Sequence, residues 1–369
     1  MNPRRDSACA AAMSVARPSA GEPPRAPTTG SGSFTWNGHT SQTATHSWRR
    51  ESDAKPIVVI TALLAALLAP LLIATHMPLK FDWPLYFRFY LFRGIEAVPI
   101  ALVLLVSTMS LSELSAKLRA RGSWKQLKQI FLEVAIPAAY FFAGLVVVFG
   151  YNDVIASVRF FARYDQFAAK ADRWLMGGSS VTAIAGRIIQ VHPAMGSWAG
   201  NFYATFYPAI GAALIFLAWR AGRVQSIEFV NTLLIQYYLA LFIFFVVPIQ
   251  GPFYSAPMQF PGFEGMVQAA MLEQANQAFH HMKAMIGFDY FIGFPSLHVG
   301  MVVVAWWFLR EWRVPKVVSS LYLILVVPCV LLVGWHYVVD VIGGVVVAAA
   351  SIAIARIGSG VRRAGRSAC

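Results

Sequence analysis

Eight long apolar runs dominate this chain and leave it few ways to fold. They lie near residues 57–76, 96–113, 130–150, 200–218, 227–248, 296–310, 317–334 and 337–356. About 20 apolar residues cross a bilayer as a helix, whose backbone groups bond to one another where no water can reach. The composition agrees, with 57% hydrophobic and 13% charged residues, far from the mixture of a soluble domain. The expected fold is all-α, a polytopic membrane helical bundle of about eight transmembrane helices. The second and sixth runs are short or carry polar residues.

The net charge of +13 would suit a nucleic-acid partner, but its placement argues against one. Basic residues cluster before the first run (Arg49, Arg50, Lys55) and after the even-numbered ones. Lys117, Arg119, Arg121, Lys125 and Lys128 follow the second, Arg220 and Arg223 the fourth, Arg310, Arg313 and Lys316 the sixth, and Arg356, Arg362, Arg363 and Arg366 the eighth. Cytoplasmic loops carry such an excess, so both termini are expected in the cytoplasm of a multi-pass protein of the bacterial inner membrane. The segment 151–199, with Arg159, Arg163, Lys170, Arg173 and Arg187, would then lie outside, where a long loop crosses regardless of its charge.

Residues 1–55, rich in Ala, Pro, Ser, Thr and Gly, are expected to form a disordered cytoplasmic tail, with no cleaved leader and with the first run as insertion signal. Residues 56–129 would supply two N-terminal transmembrane helices, 130–356 a six-helix core, and 357–369 a basic cytoplasmic tail. In 151–199, apolar and basic residues alternate as in helices lying in the membrane interface. A small cap folded over the spans fits equally, and Arg163 and Arg173 are candidates to hold a lipid headgroup. The loop 249–295 opens with a Pro/Gly break, Val247-Pro248-Ile249-Gln250-Gly251-Pro252, and reads as helical over 264–285, with Lys283 its only Lys or Arg. Cys9, Cys329 and Cys369 suggest no disulfide framework, and no Cys/His spacing resembles a zinc site.

Two motifs carry chemistry. In Gly293-Phe294-Pro295-Ser296-Leu297-His298, Pro295 suits a first helical turn. Ser296 and His298 then stand where free N–H groups favour an anion. A phosphate there could bond Ser296 Oγ and receive a proton from His298; alternatively Pro-Ser caps the helix and His298 is a satisfied interfacial residue. In Gly334-Trp335-His336-Tyr337-Val338-Val339-Asp340, the histidine and carboxylate are four apart, on one face if helical. Asp340 could accept from Nδ1–H and leave Nε2 as base or nucleophile, although a purely structural pair has the same spacing. A carboxylate inside an apolar run is itself a functional flag. Trp335 and Tyr337 suit an interfacial belt, and Gly343 and Gly344 close helix packing. Together the motifs fit phosphoryl transfer through a phosphohistidine, with no metal or other cofactor required if cations and helix N-termini hold the phosphate charge.

These two motifs, Gly-Phe-Pro-Ser-Leu-His-Val-Gly and Gly-Trp-His-Tyr-Val-Val-Asp-Val-Ile-Gly-Gly, resemble the type 2 phosphatidic acid phosphatase superfamily. The closer likeness is to its branch of inositol phosphorylceramide synthase and bacterial relatives, over about residues 130–356. Asp172-Arg173-Trp174-Leu175-Met176-Gly177-Gly178 and the Val247–Pro252 run are looser likenesses. The resemblance implies a six-helix membrane core, His336 as nucleophile, Asp340 as its orienting carboxylate, His298 as acid for the leaving group and Ser296 as a phosphate contact. Broader members carry a basic motif before the first histidine and an Arg six residues before the second. Here that position is Val330, and Lys283 is the nearest candidate for the phosphate clamp. The expected partners are a phospholipid or lipid phosphate substrate, membrane lipids and, for a transferase, a lipid alcohol acceptor. A proton-coupled transporter or flippase using the same residues as a relay is the rival from another class. Against it stand the missing inverted repeat and the gathering of polar residues at one face.

Overall fold

The computed structural model describes residues 55–74, 83–110, 112–113, 115–116, 124–158, 162–255, 268–269, 272–273 and 293–358. The described residues form a helical bundle. Its helices are α1 (Lys55–Ala74), α2 (Trp83–Thr108), α3 (Trp124–Val158), α4 (Ala162–Leu175), α5 (Val181–Val191), α6 (Pro193–Ala204), α7 (Phe206–Arg220), α8 (Arg223–Val246), α9 (Leu297–Leu309), α10 (Arg313–Leu332) and α11 (Val338–Gly358). Residues 1–54, Lys283 and the chain beyond 358 lie outside the described residues, and of the predicted helix at 264–285 only 268–269 and 272–273 are described, as helical.

Among the described residues six stretches are long and apolar enough to cross a membrane: Ile57–Ala74, Phe131–Asn152, Pro193–Arg220, Arg223–Val246, Arg313–Leu332 and Val338–Ile357. They coincide with the first, third, fourth, fifth, seventh and eighth predicted runs. The second run falls on α2. The fourth begins earlier than its hydropathy indicates and is built from α6 and α7, which part at Thr205, whose Oγ1 donates to the Phe202 carbonyl at 2.6 Å in competition with the helical ladder.

The sixth run forms a helix shorter than the transmembrane span expected of it. Helix α9 has 13 residues, about 20 Å at 1.5 Å per residue, against roughly 30 Å of hydrocarbon. One end is held by ring contacts, Phe308 on Phe229 near the start of α8 and, just beyond α9, Trp312 on Phe216 near the end of α7.

Helix α8 is the hub, packing against α1, α3, α7, α9 and α11. Of its span 67% is buried, against 11% for α1 at the rim. It turns back from α7 through Gly222 at φ 84°, with the Ala221 and Gly222 N–H groups both donating to the Leu217 carbonyl, a helix end that a left-handed glycine favours. In lipid no hydrophobic force pulls helices together, so close backbone approach through small residues matters. Helices α9 and α11 meet in this way. A Cβ on Gly344 would overlap the Ser296 carbonyl oxygen, and one on Gly300 would overlap the Gln236 side chain of α8 and stand 2.9 Å from the Gly344 carbonyl oxygen.

Because the obstacle at Gly344 is backbone, Gly344→Ala should destabilise the bundle by roughly 1–3 kcal/mol, the usual cost of overpacking. Denaturant or thermal unfolding in detergent measures this; unchanged stability would show that the two helices can part without loss.

Candidate active site

The α9–α11 crossing sets the two histidines side by side. Ser296, fully buried, is the N-cap of α9, with its Oγ accepting from the Val299 N–H at 3.5 Å. This corrects the expectation that Pro295 opens the helix: Pro295 precedes the cap, since the serine oxygen offers the first turn the acceptor it needs. The Ser296 N–H in turn donates to the Asp340 carbonyl at 2.9 Å. His298, partly exposed, then falls in the first turn, its ring centroid 5.9 Å from that of His336.

His336 does not belong to α11, which starts at Val338, so the shared-helix-face argument fails although the contact exists. Asp340 sits in the first turn, and its Oδ2 accepts from the Tyr337 N–H at 2.7 Å, the back-reaching half of a capping box. The same oxygen lies 3.5 Å from His336 Nδ1. The nearer partner of Nδ1 is the Gly293 carbonyl at 3.0 Å, not the carboxylate as expected. A carbonyl oxygen only accepts, so Nδ1 carries a proton, and the tautomer this selects is the one with its lone pair on Nε2. Both His336 and Asp340 are buried.

Three backbone segments close around His336. Gly251, at φ 122°, could carry no side chain, for a Cβ would stand 2.5 Å from the Trp335 carbonyl oxygen, and a Cβ on Gly293 would be equally close to Gln250. The Gly293 and Phe294 N–H groups donate to the Ile249 carbonyl at 2.9 and 3.3 Å. Gln268 donates to the Val333 carbonyl at 3.1 Å, beside the turn that leads into Trp335 and His336.

Several participants were not singled out in the sequence. The Tyr203 hydroxyl of α6 stands 2.6 Å from Nε2 and 2.9 Å from Nδ1 of His298, and Phe206 packs edge-on against the same imidazole. Asp165 and Asp172 of α4 are buried. Asp165 accepts from the Gly251 and Gln250 N–H groups at 3.0 and 3.2 Å. Burial pushes its carboxyl up to about 6, against the opposing pull of those two bonds. Asp172 Oδ1 accepts from the Val338 N–H at 2.9 Å and Oδ2 from the Val181 N–H at 2.7 Å. Tyr203 carried no sequence signal, being one aromatic residue among many, whereas Asp165 and Asp172, two of the three carboxylates in a segment that otherwise alternates apolar and basic residues, were a visible one. Tyr337, expected in an interfacial belt, is instead 2% exposed and packed with Ala168 and Ile249, because α4 folds over it. Arg173 is exposed. Lys283, the expected phosphate clamp, is outside the described residues. Among the described residues no three His, Cys, Asp or Glu side chains gather as a metal site.

The model of the PAP2 superfamily matches residues 168–354, half of the chain and every site residue just described except Asp165. The chain belongs to the PAP2 superfamily. Comparison with curated proteins and with solved structures found no match. Membership in the PAP2 superfamily supports a phosphatase-type function on a lipid phosphate, and the match spans both histidine motifs.

Tyr203→Phe keeps the ring contact with His298 and removes only the hydroxyl. We expect phosphate release to fall about tenfold, the worth of one hydrogen bond of about 1.4 kcal/mol, with little change in the thermal midpoint. An unaltered rate would remove Tyr203 from the site's working parts.

Proposed function

We propose that this PAP2 superfamily member is an integral membrane lipid phosphatase or phosphotransferase that works through a phosphohistidine on His336. The observation that carries the proposal is the pairing of a buried imidazole, whose Nδ1 is tied to the Gly293 carbonyl, with a second imidazole 5.9 Å away between ring centroids. Nε2 of His336 attacks phosphorus, the N–P bond forms, and the P–O bond to the leaving group breaks as His298 donates a proton to the departing oxygen. In the second half, water or a lipid hydroxyl gives its proton to His298 and attacks phosphorus, and the N–P bond breaks. Asp340 beside the ring offsets the positive charge that the imidazole gains. The Ser296 hydroxyl, the N–H groups that open α9 and Lys283 are the proposed phosphate contacts, whose donors would hold the phosphate charge.

A lipid substrate is supported by a cavity of about 480 Å³ walled almost wholly by apolar side chains, among them Tyr207, Leu214, Phe229, Leu233 and Met301. Its size lies within the roughly 300–1,000 Å³ of small-molecule sites. Met301 is one turn along α9 from His298, and Tyr207 of α7 follows Tyr203 by four residues, so hydrocarbon held there lies beneath the histidines. The likeness to the inositol phosphorylceramide synthase branch favours transfer of an inositol-phosphate-like group to a lipid alcohol. The positive-inside pattern favours a histidine end on the extracytoplasmic face, with residues 130–356 as the six-helix core and 56–129 as two helices added in front.

With a panel of lipid phosphates and phospholipids, with and without lipid alcohols, the purified protein should release phosphate or form a new phospholipid. His336→Ala should abolish either product while extraction in detergent is unchanged; full activity in that variant would refute the nucleophile. Free phosphate in the absence of acceptor marks a phosphatase, and product formed only with acceptor marks a transferase. For orientation, Trp174→Cys, in a background with Cys9 and Cys369 replaced by serine, should react with an impermeant thiol reagent from outside intact cells. Trp174 is 82% exposed at the histidine end. Labelling only after the inner face is opened would reverse the topology.

A further inference from the structure

Helix α4 holds two buried carboxylates, Asp165 and Asp172, seven residues apart and so on one face of a helix two turns long between them. Among the described residues neither is paired with a cation. Each spends both oxygens on backbone N–H groups, and three of these four, Gln250, Gly251 and Val338, belong to segments that frame His336. Asp172 grips Val338, the first residue of α11, with one oxygen and Val181, the first residue of α5, with the other. Asp165 grips Gln250 and Gly251. From that second grip a continuous path leads to the imidazole. The Ile249 carbonyl, next in the chain to Gln250, accepts from the Gly293 N–H, and the Gly293 carbonyl holds His336 Nδ1. Gly251 also lies with its backbone directly against the Trp335 carbonyl.

The two grips thus reach His336 from both sides. One fixes the chain two residues after it, at the N-terminus of the helix that carries Asp340. The other fixes the carbonyl that sets its tautomer and ring plane. Glycines at 251 and 293 make these segments adaptable in backbone conformation, so contacts from outside them have to define their place. Buried carboxylates are costly unless their acceptor capacity is used. Four N–H donors supply that use, and helix N-termini, where two of the four lie, favour negative charge.

We propose that Asp165 and Asp172 are positioning residues, which aim His336 Nε2 at the phosphorus without touching the substrate. The proposal rests on the phosphohistidine reading above and adds the device that holds its nucleophile in line. Misplacing a reacting group by about 1 Å costs roughly 100-fold in rate, whereas substrate affinity, set by the cavity and the phosphate contacts, should be spared.

The test uses the full-length protein in detergent, with kcat, KM and thermal midpoint measured for Asp172→Asn, Asp172→Ala and Asp165→Asn. Ser180→Ala serves as a control; it removes the cap of α5, an oxygen that accepts from the Ala183 N–H, and touches none of the segments around His336. An asparagine keeps one acceptor oxygen and turns an amide donor towards the other N–H, and an alanine keeps none. The expected result is a fall in kcat of about 10–100-fold for Asp172→Ala, a smaller fall for the two asparagine variants, KM within about twofold, and an unchanged kcat in Ser180→Ala. Equal losses of midpoint in Asp172→Ala and Ser180→Ala with kcat unchanged in both would make the carboxylates anchors of the fold only, and the proposal would fall. If Asp172→Ala does not fold, the asparagine variants carry the same comparison. Failure of the phosphohistidine reading is separable, because the nitrogen resonances of the His336 ring, assigned by their loss in His336→Ala, report its tautomer without turnover. Resonances that shift in Asp172→Asn and Asp165→Asn sustain the positioning role even in a protein that releases no phosphate. Resonances that stay in place refute it.

Discussion

One backbone contact fixes the geometry on which the rest of the site depends: the Ser296 N–H donates to the Asp340 carbonyl where α9 and α11 cross. The cap of one helix is thereby bonded to the first turn of the other, and the two histidines, one just inside α9 and one just before α11, are brought together. Such an approach needs helices without side chains between them. Gly300 and Gly344 provide it, with the Gln236 side chain of α8 filling the third side. Apolar burial alone would not hold this register, because lipid tails solvate an apolar helix face as well as a neighbouring helix does.

Around that crossing the main-chain N–H groups find acceptors, whereas among the described residues Asp340 Oδ1, Gln236 Oε1 and Trp335 Nε1 are buried without a hydrogen bond. A bilayer offers no water to an unpaired N–H, so the three irregular segments at 249–251, 293–296 and 333–337 bond to one another and to carboxylates. The result is a region of non-helical backbone buried in protein. In it His336 is oriented by a main-chain carbonyl and Asp340 is occupied with the Tyr337 N–H as well as the imidazole. The carboxylate therefore does two things at once: it caps α11 and places negative charge beside the ring. His298 has a different environment, an aromatic enclosure of Tyr203 and Phe206 with a hydroxyl within hydrogen-bond reach. Two imidazoles so differently held agree with the different tasks proposed for them.

Met301, one turn along α9 from His298, lines an apolar cavity together with side chains of α2, α3, α7 and α8. Helices α1 and α2 precede the matched region and pack on the bundle, α1 against α3 and α8, α2 against α7. Arg93 and Gly94 of α2 wall part of the cavity.

The sequence by itself determined the helical membrane bundle, because runs of some 20 apolar residues have one stable form in lipid, and it marked His298, His336, Asp340 and Ser296, because polar groups next to such runs are costly without a purpose. It also marked Gly343 and Gly344 as packing residues. Only the tertiary structure decided how these groups meet. The four-residue spacing of His336 and Asp340 pointed to a shared helix face, yet the contact arises across a helix start, because Asp340 is drawn back to the Tyr337 N–H. The partner of Nδ1 is a carbonyl 43 residues away in the chain, the partner of His298 a tyrosine 95 residues away, and the grips of Asp165 and Asp172 span 85 and 166 residues to Gln250 and Val338. Hydrogen bonds over such separations leave no periodicity to read. They depend on where glycines let backbones touch, and that is a property of the packed helices rather than of any one segment.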